Sequence, residues 1–402
     1  MARRTPAPQD QRRRGVVGLL LSMTVLGVFP LDVLLPSFPA LGEHFRVEPG
    51  DIAFSISLFA VGIAVSQLLI GPLSDSLGRK RLLLAGLLVA MIGALGCVLS
   101  TEYAGFLLFR LIQALGCGCF VLSQALVQDL FEGRERERLR ILMVTASGLF
   151  ISLSPLAGSV LQAWLDWPGS FLVFIALALA VLLNACRLLE HPPVQATTSP
   201  ANLFQAYRRL CGDCNFIAWW LIAALAFACH FAFIVVSPLL LMGHLGLTTY
   251  AFSLILLAYG AAYMGGGLLA ALLARRVQAD TQIMLGLGLI FLSGAVMLYL
   301  SQHGGLSALT VLLPMIICTA GTTLVRPAAT SKAMDLFSDN AGAAAAAGNT
   351  LVLLVGGLIS ALINLAGANL YVSLAVCFIV LSLIALALNA LTRRHATGLL
   401  RD

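Results

Sequence analysis

Charge is scarce in this sequence. Only 10% of its 402 residues are Asp, Glu, Lys or Arg, against 60% that are hydrophobic, and the mean hydropathy is +0.97. A soluble globular domain carries about 25% charged residues, so that class is excluded. Enzyme signatures are missing too. There is no His-Glu-x-x-His, no glycine-rich phosphate loop and no aspartate-rich diphosphate motif, which leaves metalloprotease and nucleotide chemistry without residues to run on. An intramembrane enzyme or a sensor stays open as an alternative of another class, separable by assaying transport in vesicles against product formation without a gradient. Cysteine pairing is equally thin. The nine cysteines lie mostly in apolar runs, where they act as small hydrophobes, and Cys211-Gly-Asp-Cys214 has no second pair to complete a zinc site. Neither a disulfide framework nor a metal is indicated, and no cofactor is expected.

What the chain does have is long apolar runs. About 20 residues cross roughly 30 Å of hydrocarbon, and the runs place spans near 15–37, 51–72, 81–100, 104–127, 139–162 and 168–188, then 215–242, 250–273, 282–301, 306–328, 343–366 and 368–391. The expected fold is an all-α membrane protein of twelve transmembrane helices. The first run has a basic flank but no clear small-residue cleavage site, and it reads as a retained helix.

The formal charge of +6 says less than its placement. Basic residues cluster at Arg3, Arg4 and Arg12 to Arg14; Arg79 to Arg81; Arg134, Arg136, Arg138 and Arg140; Arg187, Arg208 and Arg209; Arg275 and Arg276; Lys332; and Arg393, Arg394 and Arg401. Those are the two ends of the chain and alternate loops, whereas the intervening loops hold only Arg46. Basic loops stay on the cytoplasmic side, so both termini are expected there. The lipid bilayer is the implied surface partner, nucleic acid is not, and a monomer is expected.

Residues 189–214 form the longest polar break, with His191-Pro-Pro193 and a Thr/Ser/Pro run. They read as a linker between an N-terminal half, 1–188, and a C-terminal half, 215–402. The halves look like copies: Ala53-Phe54-Ser55 with Gly62 is matched by Ala251-Phe252-Ser253 with Gly260 at the same spacing. Such an offset is what duplicated transporter halves show.

One charged turn organises the first half, Gly71-Pro-Leu-Ser-Asp75-Ser-Leu-Gly78-Arg79-Lys80-Arg81. Gly71 reads as a point of close helix approach and Gly78 as a backbone position needing a positive φ. The stretch resembles the Gly-x-Leu-x-Asp-x-x-Gly-Arg-Lys signature between the second and third helices of major facilitator superfamily transporters. Gly267, Leu269, Arg275 and Arg276 keep its spacing in the second half, with Ala271 and Ala274 in place of Asp75 and Gly78. Two further stretches narrow the resemblance to bicyclomycin-resistance-type drug/proton antiporters, Asp32-Val-Leu-Leu-Pro36 and Phe233-Ile-Val-Val-Ser-Pro238. A partial match, Ser154-Pro155-Leu-Ala-Gly158, stands where such antiporters carry Gly-Pro-x-x-Gly-Gly, while Trp167-Pro-Gly-Ser-Phe171 lacks the arginine of their Trp-Arg-x-x-Phe.

Ionisable residues within spans cost about 2.5–3.5 kcal/mol each at a helix centre, and they mark function by default. Asp32, the only carboxylate placed inside a span, sits between Pro30 and Pro36, and a carboxyl in apolar surroundings can take up and release a proton as a cavity changes face. A surface-hydrated carboxylate is the alternative. Arg110, in Arg110-Leu-Ile-Gln113-Ala-Leu-Gly116, resembles the family's Arg-x-x-Gln-x-x-Gly. At 1.5 Å per residue it lies at the depth of Asp32, so the two can pair. His230, with an ordinary pKa of about 6.5, is either a packed, hydrogen-bonded side chain or a proton or substrate ligand. Arg326, before Pro327, is either an anchor near the cytoplasmic end or, facing a cavity, a partner for an anion. The resemblance further implies that Asp75 docks against the start of the eleventh span, capped by Ser338-Asp-Asn340, and that Asp129 is a partner for Arg79.

The reading is a multi-pass transporter of the bacterial inner membrane that exports small amphipathic compounds or drugs by proton antiport, with the proton gradient as its driving force. The alternative substrate is an endogenous anionic metabolite such as a siderophore or metallophore.

Overall fold

The computed structural model describes residues 8–189, 207–273, 276–303, 305–337, 341–365 and 369–398. Among them every regular element is helical, and twelve helices are long and apolar enough to cross a membrane. They are α1 (Pro8–Asp32), α2 (Pro49–Leu77), α3 (Arg79–Leu99), α4 (Tyr103–Leu130), α5 (Gly133–Leu165), α6 (Pro168–Leu188), α7 (Cys214–His244), α8 (Thr249–Leu273), α9 (Ala279–His303), α10 (Ala308–Asp335), α11 (Ala341–Leu365) and α12 (Leu370–Gly398). Each expected span is present within a few residues. The first differs in kind: regular helix stops at Asp32, a tight turn follows at Leu35–Ser37, and a short helix, Phe38–Phe45, completes the crossing. Pro36 has no N–H to return to the Asp32 carbonyl, so the ladder cannot continue.

Proline also shapes α5, α7 and α10, and the carbonyls orphaned by Pro155, Pro238 and Pro314 are satisfied. Pro155 leaves the Ile151 carbonyl without its helical donor, and Ser154 Oγ donates to it at 2.9 Å. Ser237 Oγ does the same for Ile234, which Pro238 orphans, at 2.9 Å. In α10 the Thr310 carbonyl, orphaned by Pro314, takes the Tyr371 hydroxyl of α12 at 2.7 Å. In hydrocarbon such groups must find a partner inside the protein.

The packing repeats. α1 packs on α5 and α6, α2 on α4, and α3 on α4 and α6; six helices later, α7 packs on α11 and α12, α8 on α10, and α9 on α10 and α12. Glycines let the tightest pairs approach. A Cβ on Gly116 of α4 would lie 2.2 Å from the Ala90 nitrogen of α3, and one on Gly321 of α10 would lie 2.4 Å from the Gly286 carbonyl of α9. The chain is thus two pseudo-symmetric six-helix halves, stabilised by close van der Waals packing rather than by any hydrophobic gain against lipid.

Two seams join the halves, α2 with α11 and α5 with α8. On the first, Ser57 Oγ and Ser360 Oγ share a hydrogen bond of 2.7 Å, and Asn364 Nδ2 donates to the Gly50 carbonyl. On the second, Ser253 Oγ donates to the Pro155 carbonyl at 2.8 Å, and a Cβ on Gly260 would meet Ser152 Cα at 2.6 Å. The contacts of Gly50, Ser57, Ser253, Ser360 and Asn364 lie toward the helix ends opposite the basic clusters, and that of Gly260 lies near the middle of α8.

At the basic end, cationic side chains meet helix C-termini, where free carbonyls and the dipole favour them. Lys80 Nζ donates to the carbonyls of Cys186 at 2.9 Å and Leu189 at 2.5 Å, at the end of α6. Arg79 Nε pairs with Asp129 Oδ2 at 2.9 Å, as the resemblance implied. Gly78 has φ +90°, a value glycine adopts without strain. Among the described residues, the nearest neighbour of a Cβ on Gly71 would be the Tyr207 hydroxyl at an ordinary 3.7 Å, whereas Gly86, Gly93 and Gly116 make close approaches between helices. The Asp75 side chain, Arg275 and Ser338 to Asn340 lie outside the described residues, as does 190–206 of the linker.

Candidate functional site

The break in α1 positions the site. Its backbone ladder ends with the Val33 N–H on the Phe29 carbonyl at 3.2 Å, and the Pro30 carbonyl instead accepts from Arg110 Nη2 of α4 at 3.3 Å. Gly158 of α5 seats against the same break: a Cβ there would lie 2.3 Å from the Val33 carbonyl. Asp32 is therefore held on a short, proline-bounded corner clamped by α4 and α5.

Arg110 does not pair with Asp32. Its side chain is wholly buried; Nη1 donates to Gln113 Oε1 at 2.8 Å, and the guanidinium lies 4.0 Å from the centre of the Phe59 ring. Counting 1.5 Å per residue placed both groups at the same depth, but depth leaves rotation about the helix axis undetermined. The structure turns Arg110 toward α2 and the Pro30 carbonyl. A buried cation is costly unless something faces it, and here a carbonyl, an amide and an aromatic face do so.

Asp32 faces the other way, into the space between the halves. A narrow cavity with room for about one water molecule is lined by Asp32, Leu35, Ile151 and Pro155 from the first half and by His230, Ile234, Leu256, Tyr259, Gly260 and Tyr263 from the second. The Asp32 carboxyl has no hydrogen-bond or ion-pair partner among the described residues. Opposite it, His230 Nδ1 is hydrogen-bonded to the Tyr259 hydroxyl, with the two rings stacked at 5.5 Å. That bond commits Nδ1 and fixes the role of Nε2: a donor if Tyr259 donates, an acceptor if Nδ1 carries the proton.

Arg326 of α10, partly exposed, touches the cavity wall. Its Nη1 donates to the Tyr263 hydroxyl at 3.2 Å, and the guanidinium lies 4.6 Å from the centre of the Phe227 ring. Arg326 therefore contacts a lining residue without being one of the residues that line this cavity. His230 proves to be both hydrogen-bonded and a lining residue. Of the packing motif, Pro155 helps form one wall, and Gly158 seats α5 against the Val33 carbonyl.

Tyr259 and Tyr263 were not singled out from the sequence. A faint signal existed: two hydroxyls at i and i+4 share one face of a helix, in the same span as the repeated Ala-Phe-Ser, with Gly260 beside the first.

Comparison with known proteins gives a consistent account. The model of the Major Facilitator Superfamily matches residues 20–361. The chloramphenicol resistance protein of Pseudomonas aeruginosa is 27% identical over 93% of this chain and 90% of its own. The multidrug resistance protein D of Escherichia coli strain K12 is 26% identical over 87% of this chain and 86% of its own. Among solved structures, a D-xylose-proton symporter superposes with a TM-score of 0.72 at 16% identity, covering 93% of this chain and 97% of that one, a likeness of fold.

Proposed function

The chain belongs to the Major Facilitator Superfamily, transporters and not enzymes, and from that premise we propose that it exports small amphipathic drugs by proton antiport through alternating access. As a multi-pass membrane protein with a small-molecule substrate, it needs a driving force. With no nucleotide site in the sequence, we take that force to be the proton gradient. One proton crossing ~150 mV yields about 3.5 kcal/mol, enough for roughly 300-fold accumulation of a neutral substrate. In this reading the protein resides in the bacterial inner membrane, monomeric and without cofactor, its termini and linker cytoplasmic. Residues 1–188 and 215–402 move against each other as two bodies, and the Gly71–Lys80 turn, with Asp75, Arg79 and Asp129, stabilises the closed arrangement at the basic end.

A single observation carries the proposal: Asp32 stands without a partner on a cavity wall shared by both halves. A carboxyl there meets a proton or a substrate, and rearranging the halves changes which of them it meets. His230 on the facing wall is the second proton candidate. The resistance proteins among its relatives support a drug as substrate.

The test uses purified protein in vesicles. Asp32→Asn keeps shape and hydrogen bonding but stays neutral, so it is expected to abolish uphill export and substrate-induced proton release while leaving substrate binding. Undiminished proton release from Asp32→Asn, with its loss in His230→Gln, would show that coupling resides on the other wall.

A further inference from the structure

Two charges of opposite sign flank the cavity without meeting, Asp32 on its wall and Arg326 bonded to the lining residue Tyr263. Asp32 belongs to the first half and has no ion-pair partner among the described residues. Arg326 belongs to the second, and its observed partners are both neutral, the Tyr263 hydroxyl and the Phe227 face. No carboxylate among the described residues lies within ion-pair distance of Arg326. Tyr259 and Tyr263 line the cavity from the second half, and Arg326, itself partly exposed, reaches it through its bond to Tyr263. When Asp32 is ionised, the cavity therefore has a field directed from one half to the other.

Tyr263 transmits that field as a hydrogen bond. Its oxygen accepts from the guanidinium, which polarises the O–H and strengthens its own donation. The Tyr263 hydrogen has no acceptor among the described residues. An acceptor placed in the cavity would thus meet a hydroxyl donor backed by a cation, facing a carboxylate on the opposite wall. Three classes of solute fare differently. A lipophilic cation is attracted by Asp32 but repelled by Arg326, and it offers Tyr263 no acceptor. An anion suits Arg326 but not Asp32. A neutral molecule with a hydroxyl or amide donor at one end and a carbonyl or nitro acceptor at the other fits both walls with its dipole along the field.

We propose that Tyr263, backed by Arg326, is the residue that selects the substrate, favouring neutral dipolar compounds whose acceptor end it holds while Asp32 takes the donor end. The proposal rests on the export reading above and sharpens it. It also assigns Arg326 an indirect role, acting through Tyr263 and not as a direct partner for an anion.

Two probes separate the outcomes: chloramphenicol, a neutral nitroaromatic amide with hydroxyl donors, and tetraphenylphosphonium, a cation without hydrogen-bonding groups. Binding is measured by titration calorimetry on the purified full-length protein, and export in vesicles carrying a proton gradient. Tyr263→Phe is expected to weaken chloramphenicol binding about tenfold, the scale of one charge-assisted hydrogen bond, and to leave tetraphenylphosphonium unchanged. Arg326→Gln keeps an amide donor for Tyr263 but removes the charge, and it is expected to weaken chloramphenicol less and to strengthen tetraphenylphosphonium. Cation binding doubles as the check that each variant is folded. Equal weakening of both probes, or chloramphenicol binding unchanged in Tyr263→Phe, overturns the selection by Tyr263 while export by the parent protein stands. A parent protein that binds and exports neither probe overturns the export reading, and this inference with it.

Discussion

Gly260→Ala adds one carbon at the seam between the halves. Its Cβ would lie 2.6 Å from both the Cα and the Oγ of Ser152, and 2.7 Å from the Cβ. A Cβ has no torsion with which to escape, and one of the three atoms is backbone. Ordinary contact is about 3.5–4.0 Å between carbons, so α5 and α8 must part by about 1 Å at that level. Overpacking of this kind costs about 1–3 kcal/mol. The cost falls on the arrangement in which the two helices touch, and not on one in which the halves have separated there, so the ratio of the two populations should shift by about 5–150-fold. The readout is Ser57→Cys on the other seam. Ser57 is 1% exposed and hydrogen-bonded to Ser360, so an impermeant thiol reagent applied from that face reaches it only when the halves part. Labelling should accelerate in Gly260→Ala by a factor in the same range. Gly265→Ala, in the same helix with nothing within 4 Å of the added carbon, should leave the rate unchanged. A well-folded Gly260→Ala protein that labels at the parent rate would refute the reasoning.

Two more expectations follow from the charged residues. Arg110→Lys replaces a planar fork that reaches both Gln113 and the Pro30 carbonyl by a single ammonium, which cannot reproduce that geometry; a loss of about 2–3 kcal/mol should appear as a lower thermal midpoint of the purified protein, and an unchanged midpoint would remove the clamping role from Arg110. Asp129→Asn breaks a pair whose partners are 24% and 44% exposed, so stability should change by less than about 1 kcal/mol while vesicle transport slows; a transport rate equal to the parent's would detach that pair from the conformational cycle.

The twelve helices were legible because crossing hydrocarbon imposes a length and a composition that few other constraints mimic. The Arg79 to Asp129 pair was legible through resemblance, and Asp32 and His230 through the cost of ionisable groups in apolar runs. Their meeting was not. Asp32 and His230 lie 198 positions apart and share a cavity only because α5 and α8 seat the halves together, which no local pattern encodes. Arg110 shows the same limit in reverse, since equal depth suggested a partner that rotation denied. Tyr263 was not legible because an aromatic residue in a span reads as packing until its hydroxyl is seen against Arg326.

The proline carbonyls bear on how the chain is made. Ser154 and Ser237 repair the gaps left by Pro155 and Pro238 from the adjacent residue, so α5 and α7 can leave the insertion machinery with those groups already satisfied. The carbonyl of Thr310 relies on Tyr371, 61 residues later in the chain. During synthesis the Thr310 carbonyl therefore lacks this partner until α12 arrives. A ribosome stalled before Tyr371 should hold a tenth helix still open to proteolysis or amide exchange around Thr310, and Tyr371→Phe should prolong that exposure in the finished protein.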